Sequence, residues 1–554
     1  MQLDDELHSW SAVLTLGDLI WRSAVTTPSR AALVMPDARY TYQELAARSL
    51  GVGQGLIALG VRSGDRVGVL AHNGIELVEA VFGSALVGAV CVPINARHKT
   101  FELGYIVENS ELTVLLTLGQ TEGAYLDFPT LLTDALPGLD QQADPTALDL
   151  AGWPRLRSVV ALDGDAPPGF LSRDRFGALA ADVDRTEVHR ARTRVRVRDA
   201  AMILYTSGTT ANPKGCVLSH EAVTRGSEHR ARTRYGTGHH DVTWGAGPLF
   251  HIGSLAPFIG SVGAGGTYLT DVYFEPGRAI QLLRDEQATV AFPWFPAVIQ
   301  PILDHPTFDA AALSSIRTIL VIGPRALVER VQTTFPAAEM IAACGMTETA
   351  GIYAVSDRTE TTEERSSGQG KAALGVELRI VDPATGEDLP DGEVGEILVR
   401  GHCVMTGYHD DPEKTAATVD PDGWLHTGDL YSRAPDGRVT FHGRAKDMLK
   451  VGGENVAAVE IEDFLCRHPA VRMASVIGRP DSRLDEVPVA FVELEPGQAL
   501  RADELITFCA GKISKYKIPA EVHFISTADW PMSTTKIDKR GLRARLDRTL
   551  PTGT

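Results

Sequence analysis

Tyr205-Thr206-Ser207-Gly208-Thr209-Thr210-Ala211-Asn212-Pro213-Lys214-Gly215 stands between two apolar runs, Ala201-Met202-Ile203-Leu204 and Cys216-Val217-Leu218. That pattern predicts strand, flexible loop, strand. Residues 206–215 hold four hydroxyls, two glycines and one lysine. Glycine lets backbone N–H groups approach an anion, hydroxyls donate hydrogen bonds and lysine adds a point charge. The simplest ligand for such a loop is a polyphosphate. The loop is not of Walker type. Counting from Gly208, Pro213 occupies the second glycine position, and Gly215 follows Lys214 where Ser or Thr is required. A solvated turn is the competing reading, so the rest of the chain has to decide.

Upstream of the loop, short apolar runs alternate with helical patterns. Residues 40–45 read as a helix start, 66–70 as a strand, 76–90 as a helix and 113–117 as another strand. Such alternation predicts α/β architecture with a largely parallel sheet. Residues 120–188 are rich in Asp, Pro, Gly and Ala and read as loops and surface insertions. Downstream, 219–234 reads as a helix, 288–292 and 318–322 as buried strands, and 378–381 with 395–399 as an antiparallel pair turning at Asp391-Gly392. Near Gly443 the pattern starts afresh. The following stretch of about 110 residues is long enough to bury a core of its own.

Composition narrows the function. The chain has 554 residues, more than one core accommodates. A net charge of −18 argues against nucleic acid or an anionic membrane surface as the main partner. The longest apolar run, 80–94, is too short to span a bilayer. The N-terminus is acidic and lacks the basic region of a signal peptide. Six cysteines without metal-ligand spacing read as reduced cytoplasmic thiols. Only eleven lysines occur, and seven of them follow Arg444.

Four further stretches share the chemistry of the loop. Gly345-Met346-Thr347-Glu348-Thr349 sets a hydroxyl for a phosphate oxygen beside a carboxylate for Mg²⁺, a hard cation that prefers oxygen. A plain helix start explains Thr-Glu equally well. In Gly423-Trp424-Leu425-His426-Thr427-Gly428-Asp429-Leu430, Asp429 at a strand edge can accept hydrogen bonds from both ribose hydroxyls. Gly443-Arg444-Ala445-Lys446-Asp447-Met448-Leu449-Lys450-Val451-Gly452-Gly453 puts alternating charge and paired glycines where the chain changes character, which suits a hinge. Pro531-Met532-Ser533-Thr534-Thr535-Lys536 offers a lysine on a polar loop.

In this order and at these separations, the stretches resemble the adenylate-forming superfamily of acyl-CoA synthetases, aryl-CoA ligases, adenylation domains and beetle luciferases. The resemblance spans about residues 15–545. It implies a large multi-sheet N-terminal α/β domain, 1–443, with two α/β sheets and a small β-barrel-like part. A mobile α+β domain, 444–554, follows. It also implies ATP, Mg²⁺ and coenzyme A as cofactors. Thr206, Ser207, Gly208, Thr209, Thr210 and Lys214 match the family's phosphate loop, and Thr347 and Glu348 its phosphate- and magnesium-binding pair. Asp429 and Arg444 match ribose-binding residues and Lys446 the hinge. Lys450, Gly452 and Gly453 match the loop that serves the thiol step. Lys536 matches the lysine that reaches the reacting carboxylate and the α-phosphate. There are departures. Thr535 replaces a common Gly, Cys344 a common Tyr, and the adenine strip around Gly323 reads Ile322-Gly323-Pro324-Arg325.

For the acid, the resemblance implies a pocket lined by His251, Trp294, Phe295, Gly323, Cys344 and Ile352. Amino-acid-activating members usually carry Asp after the pocket phenylalanine, whereas His251 follows Phe250 here. The lining is apolar and aromatic, and Cys344 with the glycines of 260–266 would leave room, so a hydrophobic or bulky carboxylic acid is expected. Two alternatives remain at this point: transfer to the thiol of a separate carrier protein, and a nucleotide-binding relative without catalysis. Retained Lys536, Glu348 and Asp429 count against the second.

Overall fold

A computed structural model describes residues 13–123, 125–206, 213–323, 325–451, 454–481, 483–510, 512–533 and 536–549. Two seven-stranded sheets form its larger part. The first runs Gly407–Tyr408, Lys214–Ser219, Ala200–Thr206, Val90–Pro93, Arg66–Leu70, Leu112–Thr117, Ser158–Ala161. It is parallel from Ala200–Thr206 to Ser158–Ala161 and closes with antiparallel pairs at the loop end. The second runs Glu339–Ile341, Thr318–Val321, Val290–Trp294, Val242–Gly245, Thr267–Leu269, Ala31–Met35, Ala38–Thr41, parallel except for its last hairpin.

Helices Leu16–Thr26, Tyr42–Ala58, Ile75–Leu86, His220–His229 and Ile252–Ala264 contribute to one large apolar core with strands of both sheets. The helix expected from 40–45 starts where Thr41 and Glu44 form a reciprocal capping box. Helix Ile75–Leu86 is buried on nearly every side, as its all-round apolar sequence requires. It ends at Leu86 rather than near 90. Gly88 then turns with φ +73° and strand Val90–Pro93 begins. Its buried Glu79 is paired by Arg48 at 2.6 Å and Arg173 at 2.7 Å, which offsets the cost of taking a carboxylate out of water.

Residues 120–188 are not mere surface loops. They include helices Phe128–Ala135, Arg173–Ala181 and Arg185–Arg192, and the edge strand Ser158–Ala161. Phe128, Phe170 and Phe176 from this region are buried in the main core. The glycines of 260–266 also differ from expectation. Gly260 and Gly263 lie inside helix Ile252–Ala264, and a Cβ at Gly260 would come within 2.6 Å of the Ser227 carbonyl. They serve close packing against helix His220–His229 rather than leaving space for substrate.

A four-stranded antiparallel sheet (Val376–Val381, Gly395–Gly401, Leu425–Arg433, Val439–Arg444) and a three-stranded one (Ala343–Met346, Gly351–Val355, Lys371–Ala372) stand where a barrel-like part was expected. Beyond them, strands Glu454–Ala457, Met448–Val451, Asp485–Leu494, Val471–Asp481 and Glu521–Phe524 form a five-stranded sheet with helices Ala458–Leu465, Ala502–Cys509 and Lys539–Thr549. Its two apolar clusters use residues from 449 onward, and the other clusters use residues up to 441. Arg472 links the two parts. Its guanidinium meets Asp304 at 3.2 Å, the Gln300 amide oxygen at 3.4 Å and Glu493 at 3.5 Å. Among the described residues, no helix is long and apolar enough to cross a membrane.

Candidate active site

Thr206 and Lys214 face each other across the antiparallel pair Ala200–Thr206 and Lys214–Ser219. The opening stretch is therefore flanked by two paired strands, whereas a Walker loop leads from a strand into a helix. Ser207, Gly208, Thr209 and Thr210 lie outside the described residues. On its other edge, Lys214–Ser219 pairs with Gly407–Tyr408. This places the Lys214 ammonium 5.8 Å from the centre of the Tyr408 ring. Partial burial, together with Lys414, lowers the Lys214 pKa, against the opposing pull of Asp411 and Glu348.

Tyr408 is a residue the sequence did not single out. Its hydroxyl donates to Glu348 Oε1 at 3.0 Å, and the Met405 N–H donates to the Glu348 carbonyl at 2.8 Å. Burial and the Glu348 carboxylate push the phenol well above its ordinary pKa, so it stays a donor. Glu348 is thus aimed by a tyrosine while keeping oxygen capacity for another partner. Thr347 and Glu348 sit in the tight turn Thr347–Thr349. The following residues, Ala350 (φ +48°) and Gly351 (φ +102°), occupy left-handed backbone, where glycine is at ease and alanine is strained. Thr349 Oγ1 fastens the turn by donating to the Gly351 carbonyl at 2.7 Å.

Asp429 and Arg444 face one another on neighbouring strands, with Nε 3.0 Å from Oδ1. Thr427 Oγ1 accepts from the Asp429 N–H at 3.1 Å, and Glu396 accepts from the Gly428 N–H at 2.8 Å. The aspartate is mostly buried and the arginine is half-exposed, so the pair lies at a sheet edge with one side open.

Trp294, Phe295 and Ile352 belong to one apolar cluster with Tyr235, Phe292 and Ile322, the residue before Gly323. Trp294, Phe295 and Ile322 stand at or just past the carboxyl ends of strands Val290–Trp294 and Thr318–Val321, the end at which open α/β sheets bind ligands. Cys344 joins a different cluster. Its thiol lies near the Tyr353 and Tyr431 hydroxyls, and burial pushes its pKa up to about 12. His251 caps helix Ile252–Ala264, and its Nδ1 accepts from the Gly253 N–H at 3.1 Å. Lys446 falls in the turn Ala445–Asp447, Lys450 in strand Met448–Val451 and Lys536 in the short strand Lys536–Ile537, paired with Met532–Ser533. The side chains of these three lysines, and Gly452 and Gly453, lie outside the described residues.

A paired-strand frame around a hydroxyl- and glycine-rich sequence beside an aimed glutamate, and an aspartate–arginine pair followed by a further sheet, now have a counterpart among known proteins. The family model "AMP-binding enzyme" matches residues 20–409, and "AMP-binding enzyme C-terminal domain" matches 460–535. The chain belongs to the adenylate-forming AMP-binding enzymes. This AMP-binding enzyme is 34% identical over 496 residues to a 3-[(3aS,4S,7aS)-7a-methyl-1,5-dioxo-octahydro-1H-inden-4-yl]propanoyl:CoA ligase of Rhodococcus jostii (strain RHA1), covering 89% of this chain and 91% of the relative. It is 30% identical over 548 residues to the mitochondrial medium-chain acyl-CoA ligase ACSF2 of Mus musculus, covering 97% and 88%. The crystal structure of the anthranilate CoA ligase AuaEII with anthranoyl-AMP superposes with a TM-score of 0.82 at 27% identity, covering 97% of this chain and 98% of that one. The enzyme is an AMP-forming acid–thiol ligase. It activates a carboxylic acid with ATP to an acyl-adenylate and passes the acyl group to coenzyme A. The residues present fit magnesium nucleotide. Mg²⁺ takes one or two protein carboxylates and fills its shell from phosphates and water, and Glu348 is such a carboxylate beside a lysine.

Proposed function

We propose that this ligase makes the CoA thioester of a bulky, hydrophobic carboxylic acid, with the acyl body held against Trp294, Phe295 and Ile352. The observation that carries this reading is the separate apolar cluster that runs along strand Val290–Trp294 and reaches Phe295 and Ile322 past the carboxyl ends of that strand and of Thr318–Val321. The acyl groups in the names of the two curated relatives, one a methylated bicycle on propanoate and one of medium chain length, support it. His251, at the start of helix Ile252–Ala264, belongs at the mouth of that pocket, and Cys344 backs its wall from the neighbouring core. Gly323 lets adenine approach the strand end.

The two half-reactions then divide the residues. In the first, an acid oxygen attacks the α-phosphorus, an O–P bond forms, and the bond to the β-phosphate oxygen breaks to release pyrophosphate. Attacker and target are both anionic, so cations and N–H donors have to converge on the transition state. Thr206 to Thr210 and Lys214 bind the β- and γ-phosphates, Thr347 an α-phosphate oxygen, and Asp429 with Arg444 the ribose. Lys536 brings its ammonium between the acid and the α-phosphate. Mg²⁺, when bound at Glu348, neutralises developing charge on the departing pyrophosphate. In the second, the CoA sulfur attacks the acyl carbon and AMP leaves. Lys536 is no longer required, and rotation of 444–554 about Lys446 brings Lys450, Gly452 and Gly453 to the site. The boundary at Gly443 agrees with the way the apolar clusters divide. Six unpaired thiols support a reducing, cytoplasmic setting.

A panel of carboxylic acids incubated with ATP and Mg²⁺, with and without CoA, and read by mass spectrometry tests this. Hydrophobic cyclic or medium-chain acids should give acyl-adenylate and pyrophosphate without CoA, and AMP with the thioester only when CoA is present. Best turnover of acetate, or of a short dicarboxylate, would overturn the assignment of the acid.

A further inference from the structure

Trp294 combines three features that do not belong to an ordinary core tryptophan. It is 7% exposed, yet its indole Nε1 has no hydrogen-bond partner among the described residues. Buried tryptophan N–H groups usually find one, because an unmade hydrogen bond in an apolar setting is costly. Its backbone lies at φ +63°, a region that a bulky residue adopts only under strain. The register of strand Val290–Trp294 against Thr318–Val321 shifts between Ala291 and Trp294, and the Ile322 N–H donates to the Trp294 carbonyl at 2.6 Å. The strand end is therefore fastened in this strained form. Val290, Phe292 and Trp294 alternate with Ala291, and all three fall in the apolar cluster of the acyl pocket, with the Phe292 and Trp294 rings 5.5 Å apart. Strain and unmet hydrogen-bonding capacity at one position persist when a ligand uses them.

We infer that Trp294 Nε1 is a specificity contact, donating a hydrogen bond to an oxygen on the acyl body. The substrate class narrows to bulky apolar acids that carry a carbonyl or hydroxyl oxygen away from the reacting carboxylate. This inference rests on the pocket reading proposed above. The side chains of the cluster are hydrocarbon apart from this indole and the Tyr235 hydroxyl, and the neighbouring Arg230 spends Nη1 on the Ile352 carbonyl at 3.0 Å, so the indole is the donor of the cluster left without a partner among the described residues. A site built around an unpaired donor discriminates against the analogue that leaves it unpaired.

The test uses stable acyl-sulfamoyl adenosines, which mimic the acyl-adenylate, bearing 3-cyclohexylpropanoyl and its 3-oxo- and 4-oxocyclohexyl counterparts. Affinities are measured by calorimetry on the full-length enzyme. At least one oxo analogue should bind about tenfold tighter than the parent. Trp294→Phe, which keeps an aromatic ring and removes the N–H, should cut that preference below about twofold; the preference is a ratio, so the loss of apolar contact common to all three analogues cancels. Trp294→His, which restores a ring N–H, should recover part of it. Equal or weaker binding of both oxo analogues to the native enzyme overturns the inference whether or not the variants fold. An unchanged preference in folded Trp294→Phe overturns it too. Failure of all three analogues to bind would instead bring down the bulky-acid pocket itself.

Discussion

Tyr408 shows how a side chain far from a motif completes it. Glu348 was visible in the sequence because a hydroxyl preceded it in a glycine- and threonine-rich pentapeptide. Tyr408 was not, because its place depends on pairing Gly407–Tyr408 with Cys216 and Val217 from a distant part of the chain. Only tertiary structure supplies that partnership. Hydrogen bonds to charged groups are worth roughly 1.5–3 kcal/mol. Tyr408→Phe should therefore lower kcat/KM for adenylate formation by about tenfold or more and raise the Mg²⁺ concentration needed for half-maximal rate. An unchanged Mg²⁺ dependence would mean that the hydroxyl does not position Glu348. Cys344 is the opposite case. The sequence placed it at the pocket by resemblance, and its thiol turns toward the Tyr353 and Tyr431 hydroxyls in the main core.

Helices and strands with regular apolar spacing were legible, and those without it were not. The start of Tyr42–Ala58 could be read from Thr41 and Glu44, because capping chemistry is local. Strand Ser158–Ala161 could not, since four residues between Arg157 and Leu162 carry little periodic signal. Helix His220–His229 makes an element-level prediction of its own. His220 is fully buried, and its Nδ1 accepts from the Leu16 N–H at 3.2 Å, tying the helix to the first described helix of the chain. Burial lowers its pKa from 6.5 to about 4. As pH falls from 6.5 toward 4, the unfolded chain binds a proton that the folded one refuses, so stability is complete above 6.5 and is lost across that window. At about 1.4 kcal/mol per pH unit, the loss approaches ~3 kcal/mol. His220→Gln should flatten the fall of the melting temperature between pH 6.5 and 4. An equally steep fall in the variant would assign the acid sensitivity to other groups.

The two parts of the molecule have separate apolar cores and meet through polar contacts that include the Arg472 cluster on helix Pro296–Leu303 and Asp304. Ionic contacts of this kind hold an orientation without fixing it, unlike a shared hydrophobic core. The proposed rotation of the smaller domain would break the Arg472–Asp304 pair. In single-turnover assays, Arg472→Ala should therefore shift the rates of the two half-reactions in opposite directions, by a few-fold each. Parallel changes would mean that the contact is merely structural. The order of motifs made a two-part ligase legible in the sequence, because together they match a family whose models cover residues 20–409 and 460–535. The acid remained vague because the apolar cluster proposed to hold it is assembled from helix and strand residues scattered between 231 and 355. The division of labour between the domains is tested most directly by Lys536→Ala, assayed separately for acyl-adenylate formation from acid and ATP and for thioester formation from a supplied acyl-adenylate and CoA. Adenylate formation should fall by several orders of magnitude while the thiol step stays within a few-fold of the native rate; equal loss in both assays would contradict the account.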